Sequence, residues 1–381
     1  MNDAKPLHSN AAFVRLWTSG SRRVYAYILT LVTNRSDAED LLQGVSASPE
    51  MPGRARSVLR QGQEWKLLSG LAEFRFDRDA RVTVEGPASF RIAGSQQIDL
   101  DRGTLVANVP PRPAGFTVHT PAATAIDLGT QFGVVLGSDG APEFHVLQGQ
   151  IRTLSPHLES EVLETNQASR YSLNGQVRQT IPAERDAFNG CLRLAAGIVD
   201  FQGKARFSAR PIDALDGAGH ARSDIIHVFL ERQDCRLPRD LPVLSVDDGV
   251  PSPADEPTRT VLPAGTDVDV YFAHLQVDRS ATLKCQMTLS RPVAGVVIEP
   301  DALDATDDLF ALPDFPYLPP DRKISNRGAV YAPGSTSKTQ DRLWVSADRR
   351  SITLQFEAQP NDVDQVRIVV PRPRVVRTGH A

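Results

Sequence analysis

Several residues in this sequence are of types that do chemistry. Asp301, Asp304, Asp307 and Asp308 crowd hard oxygen donors into one short stretch, the donor type that calcium takes. Their spacing is not that of an EF-hand loop and no glycine stands at the turn position. The stretch therefore reads as a helix start or an acidic loop, since carboxylates favour a first turn. Glu73 and Glu85 have the residue type of a glycosidase pair, but such a pair works across a cleft about 5–10 Å wide, which spacing alone does not set. His119 and His145 stand on the outward phase of strand-like segments, beside Val118 and Val146. As ligands they would have to face one another across a sheet, and exposed strand histidines need no such role. The three cysteines, Cys191, Cys235 and Cys285, are far apart and form no C-x-x-C pair, so zinc and redox sites lack their spacing and a single Cys235–Cys285 bridge stays open. No G-x-S-x-G, P-loop or G-x-G-x-x-G motif occurs. The expectation is a chain with no catalytic residue, no cofactor and no metal.

The most specific string is DLGTQFGV at 127–134, which holds Asp127, Gly129, Thr130, Phe132 and Gly133. Turn chemistry accounts for it: an aspartate that forms an Asx turn, and glycines that take positive φ or allow close packing. A partner-binding role is compatible with the same residues, because a fold signature need not be a site.

These residues must be positioned by β structure. The chain has 381 residues, 41% apolar and 23% charged, with a formal net charge of −4. That is the balance of a globular protein of two or three domains, with no global basic field to draw it onto nucleic acid. The 28 prolines and 26 glycines imply many short elements. From 65 onward the apolar period is two. Strands are expected over 71–77, 81–85, 89–92, 97–100, 104–109, 116–120, 131–136, 143–147 and 150–154, separated by turns such as Glu85-Gly86-Pro87 and Asp101-Arg102-Gly103. A connecting segment over 155–197 carries one strand at 168–173 and a helical bridge near 183–194. A second β region, 198–371, has strands at 225–230, 267–273, 281–289, 293–299, 342–346, 352–356 and 365–370, the pattern of a sandwich. The tail 372–381 is basic.

The N-terminal 43 residues differ. Phe13, Leu16 and Trp17, then Val24, Tyr27, Ile28 and Leu31, follow helical spacing, and Ser36 with Glu39 forms a capping box. A helical hairpin is expected over 1–43, followed by a linker over 44–64 made locally basic by Arg54, Arg56 and Arg60. Residues 1–10 are polar, with no signal-peptide h-region after them. The longest apolar run near the start, 26–32, is far short of the about 20 residues a membrane span needs. As written the chain is expected to be cytoplasmic, or periplasmic or in the envelope if the N-terminus is a fusion or a mis-called start.

SGLAEFRF (69–76), RVTVEGPASFRI (81–92), RGTLVANVPP (102–111), GFTVHTP (115–121), AIDLGTQFGV (125–134) and FHVLQGQI (144–151) occur in this order and are similar to a FecR domain, over about 65–154. The VEGPA and FTV-x-TP elements resemble planctomycete-type members. The resemblance implies a β-roll or sandwich, and a regulator of anti-sigma type akin to iron-citrate sensors. Its members usually hang outside the inner membrane on a helix-anchored protein whose cytoplasmic end controls an extracytoplasmic-function sigma factor. FVRLW (13–17), RRVYAYILTLV (22–32) and SDAEDLLQ (36–43) look like the opening of sigma-70 region 2 in that sigma class. By that resemblance Asp37, Glu39, Asp40 and Gln43 would contact the clamp of core RNA polymerase. The promoter-melting part should follow with aromatic and basic residues, yet 44–60 has no aromatic residue, and region 4 is missing. The C-terminal region resembles an uncharacterised β-sandwich module of bacterial surface proteins.

The function expected is a non-enzymatic regulator or sensor in sigma-linked signalling. It would act by protein–protein contacts with a sigma factor, core RNA polymerase or an envelope receptor, without sequence-specific DNA binding. One alternative is an envelope or surface adhesion module that binds carbohydrate through Trp344, Tyr271, Tyr317 or Tyr331. The other is a sigma factor with region 2 alone, expected to be inactive.

Overall fold

The computed structural model describes residues 62, 64–76, 80–110, 115–209, 224–245, 259–313, 315, 317, 327–329, 341–360 and 363–372, and the backbone of 12–17, 25–30 and 42–44. The chain divides into two compact units, Met1–Ala195 and Ala196–Ala381. Both are mainly β, as the period-two pattern predicts.

The first unit begins with β1 (Ala12–Trp17), β2 (Tyr25–Thr30), β3 (Leu42–Gly44), β4 (Glu64–Leu67), β5 (Leu71–Arg75), β6 (Arg81–Gly94) and β7 (Gln97–Asn108). It continues through β8 (Thr117–His119), β9 (Thr124–Asp127), β10 (Gln131–Leu136), β11 (Pro142–Gln148), β12 (Gln150–Ser155), β13 (Leu158–Glu164), β14 (Gln167–Tyr171) and β15 (Arg178–Pro182). A 3-10 turn (Asp186–Phe188) and α1 (Asn189–Ala195) close it. Two long strands organise the unit. The first half of β6 pairs with β5 and its second half with β4. The end of β7 pairs with β10, while its start pairs with β8, in parallel. One continuous sheet thus folds over itself at Gly86-Pro87 and Gly103, and β6 and β7 belong to both layers. These two points, expected as turns between separate strands, are bends inside strands. Gly103 takes φ +117, and a Cβ there would stand 2.5 Å from that of Ala88.

Alternation along the strands puts Val82, Val84, Phe90, Ile92, Leu105 and Phe132 between the layers, all fully or almost fully buried. Phe74 meets Phe90 edge-on at 5.1 Å, and Phe76 meets Phe116 at 4.9 Å. Burying each ring contributes roughly 1.5–3 kcal/mol before entropy is counted. Tyr171 of β14 donates to Thr153 Oγ1 of β12 at 2.8 Å, which ties the layers where the aromatic run ends.

Two expectations fail here. The helical hairpin over 1–43 is not formed where the backbone is described: β1 and β2 pair antiparallel from Ala12↔Thr30 to Trp17↔Tyr25, and β2 extends the sheet onto β5. Short apolar runs fit either period, and Tyr25, Tyr27, Ile28 and Thr30 are aromatic or β-branched, types that suit a pleated surface. Asp37, Glu39 and Asp40 lie outside the described residues, and Gln43 falls in β3. The segment 155–197, expected as a connector with one strand, adds β13, β14 and β15 to the first unit's sheet. The helical bridge is present but short, as the 3-10 turn and α1.

The second unit contains β16 (Ile198–Gly203), β17 (Ala205–Phe207), β18 (Ile226–Arg236), β19 (Leu241–Leu244), β20 (Arg259–Leu262), β21 (Asp267–Leu275), β22 (Ala281–Leu289) and β23 (Gly295–Val297). After α2 (Pro300–Phe310) come β24 (Arg342–Val345), β25 (Ser351–Ala358) and β26 (Asp364–Pro371). A four-stranded sheet runs β16-β22-β25-β24, and a seven-stranded sheet runs β17-β18-β21-β26-β23-β19-β20. The strands of the smaller sheet alternate buried and exposed positions, so one face is wet. By contrast, β21 and β26 are buried on nearly every residue, which marks a sheet covered on both faces. α2 supplies one cover: Leu303 and Phe310 join Phe229, Phe272 and Val369 in one core.

Candidate functional site on the outer face of the first unit

Strand register assembles the site. Glu73 pairs with Thr83, Thr83 with Val106, Val106 with Gly133, Gly133 with His145, and His145 with Ala168. Because directly opposed residues share a face, these side chains form one row across six strands on the outer side of the folded sheet. Glu85 lies diagonally from Glu73 on the same face.

The 3-10 turn and α1 cross this row as a strap. Phe188 is fully buried over Gly133 and meets the ring of His145 edge-on at 5.2 Å. His145 Nδ1 accepts the Glu184 amide at 3.2 Å, and Nε2 lies 3.3 Å from Glu143 Oε2. Burial holds the imidazole below its usual pKa, against the pull of Glu143 and Glu184. Arg185 donates to the Leu147 carbonyl. Cys191 is buried against the Thr83 carbonyl, Sγ 3.5 Å away, and lies 3.9 Å from Glu85 Oε2. Burial raises the Cys191 thiol pKa well above its usual value, and the neighbouring Glu85 charge pushes it the same way. The Glu85 carboxyl is likewise pushed up by burial, with Arg193 opposing. It lies so close to the start of α1 that a Cβ on Gly190 would stand 2.6 Å from Oε2.

The signature residues take part in this architecture. Asp127 ends β9 fully buried. The Thr130 hydroxyl and the amides of Gly129, Thr130 and Gly115 face its carboxylate, but none meets it in hydrogen-bond geometry. Burial outweighs these donors and raises its pKa. The Asx turn expected of it is not made; its backbone carbonyl accepts the Gly115 amide at 3.0 Å instead. Gly129 takes φ +103. Thr130 donates to the Gln150 carbonyl at 2.5 Å, which fixes the turn to β12. Phe132 fills the core, and Gly133 leaves the space that Phe188 occupies.

The other candidates separate. His145 is buried under Phe188 rather than outward, and His119 Nδ1 lies 2.7 Å from Thr124 Oγ1. Among the described residues no group of three or more His, Cys, Asp or Glu side chains is set to hold a metal. Three of the four aspartates of α2 already have cations. Arg327 Nη1 donates to Asp304 at 2.8 Å and Asp307 at 2.5 Å, Arg239 bridges Asp308, and Asp301 is exposed in the first turn. The three cysteines are free thiols, so the Cys235–Cys285 bridge is not made. Of the aromatic platforms, Tyr271 is buried and Tyr317 is tied to Glu231. Tyr331 lies outside the described residues, and Trp344 stands half-buried on the wet face of the smaller sheet. The strap has little signature in the sequence: its anchor, Phe188, lies far along the chain in a polar stretch, and only the helical pattern at 183–194 marks it.

Residues 61–152 match the family model of the FecR protein, so the match is to a segment of the first unit. No curated protein is significantly similar to the chain. Two crystal structures of a candidate anti-sigma factor from Parabacteroides distasonis ATCC 8503, at 1.65 and 2.50 Å resolution, are similar to it. The first has 16% identity and a TM-score of 0.30, and the alignment covers 34% of this chain and 64% of that one. The second has the same identity and score and covers 40% and 70%. The chain thus spans less than two thirds of the first of these structures. No helix among the described residues is long and apolar enough to cross a membrane.

Proposed function

We propose that this chain is a non-enzymatic regulator or sensor in sigma-factor-linked signalling, and that its first unit works through protein–protein contacts. The observation that carries the reading is the FecR family match over 61–152, on a unit whose signature residues build a strapped β-roll. Two further features support it. Glu85 faces the backbone of α1 rather than an open cleft across from Glu73, and the buried thiol of Cys191 is held in its unreactive form.

The test is affinity capture with the full chain as bait against the extracytoplasmic-function sigma factors and FecR-type membrane regulators of the source organism, with core RNA polymerase included. Retention of a sigma factor or of such a regulator is expected. Capture of none of them, from cells grown under several envelope stresses, would overturn the reading. Asp127→Asn separates the two roles of the signature: a fold residue leaves capture intact once the protein is folded, whereas a contact residue does not.

A further inference from the structure

The wet face of the smaller sheet in the second unit has an unusual make-up. Register places Gln202, Gln286, Thr353 and Trp344 in a single row across all four strands. At the usual interstrand spacing that row is about 14 Å long. The rows beside it satisfy themselves: Thr288 and Ser351 hydrogen-bond at 2.9 Å, and Glu357 accepts from Thr282 at 2.6 Å and from Gln355 at 3.0 Å. In the central row, Gln202 donates to Asp200 at 2.7 Å. Among the described residues, Gln286 and Thr353 have no side-chain partner. They leave a hydroxyl cross-strand from Trp344 and an amide one strand further along the row, both partly exposed. The Lys284 ammonium lies over one face of the Trp344 ring, 5.2 Å from its centroid, so a ligand ring would stack on the other face or displace the lysine.

We propose that this face binds a neutral polysaccharide, lying across the strands with one sugar ring on Trp344 and its hydroxyls on Gln286, Thr353 and Gln202. The chemistry selects this occupant. No aliphatic side chain lies on the outward positions of β22, β24 and β25, so the face lacks the apolar centre of a protein interface and the grease of a membrane surface. Lys284 and Arg342 are balanced by Asp200 and Glu357, which gives no field for a polyanion such as nucleic acid. What remains is a ligand rich in hydroxyls with a stackable apolar face. An aromatic plate with free amide and hydroxyl groups at strand spacing is complementary to that, because each unsatisfied side-chain group finds a partner only in a polar ligand or water. The inference is independent of the regulatory reading and goes beyond it.

The test is retention of the full chain on insoluble cellulose, chitin and xylan, and by affinity electrophoresis through gels containing soluble β-glucan, at low and at 0.5 M salt. Salt-insensitive retention on at least one of these is expected. Trp344→Ala should weaken it about tenfold, the size of one lost stacking contact. Trp344→Phe should restore most of it, and Gln286→Ala should weaken it at an unchanged melting temperature. The proposal falls if no probe retains the protein, if 0.5 M salt abolishes retention, or if Trp344→Ala and Gln286→Ala bind as the parent does.

Discussion

Phe188 occupies the space that a side chain on Gly133 would fill. A Cβ at Gly133 would stand 2.3 Å from Phe188 Cε1 and 2.4 Å from Cζ, far inside contact distance. The last glycine of the DLGTQFGV string is therefore required by a residue more than fifty positions later, and the strap is seated on the signature itself.

That relationship predicts a coupled pair. Gly133→Ala overpacks the site and should cost about 1–3 kcal/mol, and Phe188→Ala, which empties a buried site, about 3–5 kcal/mol. In the double variant the new methyl has nothing to strike, so the loss should fall short of the sum by roughly 0.5–3 kcal/mol. Urea midpoints of the first unit's transition measure all four corners of the cycle. Additive losses would show that Phe188 does not set the need for glycine.

The strap also responds to pH at two points, with opposite signs. His145 has its pKa lowered by burial, so its contribution is complete above the unfolded value of 6.5 and is lost as pH falls through the folded one. Glu85 has its pKa raised by burial, so its contribution is complete below the unfolded value of 4.5 and is lost as pH rises through the folded value. The protection factors of residues 188–195, taken against the intrinsic exchange rate at each pH, should thus fall on acidification below about pH 6.5, and His145→Asn should flatten that dependence. Glu85→Gln should stabilise the first unit at pH 7 and make no difference at pH 4. A Gln variant that is less stable at pH 7 would reverse the assigned sign.

What the sequence made legible follows from range of interaction. Period-two alternation located strands such as β10 and β22, because alternation is a local property that burial of one face enforces. The bends at Gly86-Pro87 and Gly103 read as chain reversals, since a glycine that lets a strand cross between layers has the same local chemistry as one that ends a strand. β13 and β15 escaped notice because edge strands with charged, exposed residues carry almost no alternation. β1 and β2 carry short apolar runs that fit two periods, and pairing with β5, a long-range event, decides between them. His145 looked like an exposed strand residue, and only the distant Phe188 covers it. The aspartates of α2 read as a helix start, and a helix is what they build; the charge of three of them is met by cations. The cations are arginines, supplied from 327, 239 and 367.

Arg367 supplies the largest predicted loss in the second unit. It is fully buried and uses all five donors: two on Glu231 at 2.8 Å each, and the others on the Leu303 carbonyl at 2.7 Å, Thr306 Oγ1 at 2.8 Å and Asp307 at 2.6 Å. The rings of Phe272, Phe310 and Tyr317 surround it. Removing either member strands a charge in an apolar shell, so Arg367→Met and Glu231→Leu should each cost about 3–5 kcal/mol. The double replacement should cost less than either single change, since it leaves no opposed buried charge between β18 and β26. Denaturant titration followed by tryptophan fluorescence reads the second unit through Trp344. Equal losses in all three variants would show that packing, not charge pairing, carries the site.

Thiol chemistry gives a graded prediction across both units. Burial drives the Cys285 thiol up to about 12 and Cys191 well above its usual range, whereas Cys235 is half-exposed and is raised by burial with Arg232 pulling the other way. The thiolate is the reacting species, and a group that is both covered and protonated is doubly protected. Reaction with an aromatic disulfide reagent at pH 8 should therefore label Cys235 alone in the folded chain, and all three cysteines in urea. Cys235→Ser should leave a folded protein with no fast-reacting thiol. Fast labelling of Cys191 in that variant would mean that α1 leaves the sheet readily under native conditions. Absence of any titratable thiol at 235 and 285 after denaturation without reductant would instead reveal a disulfide between them.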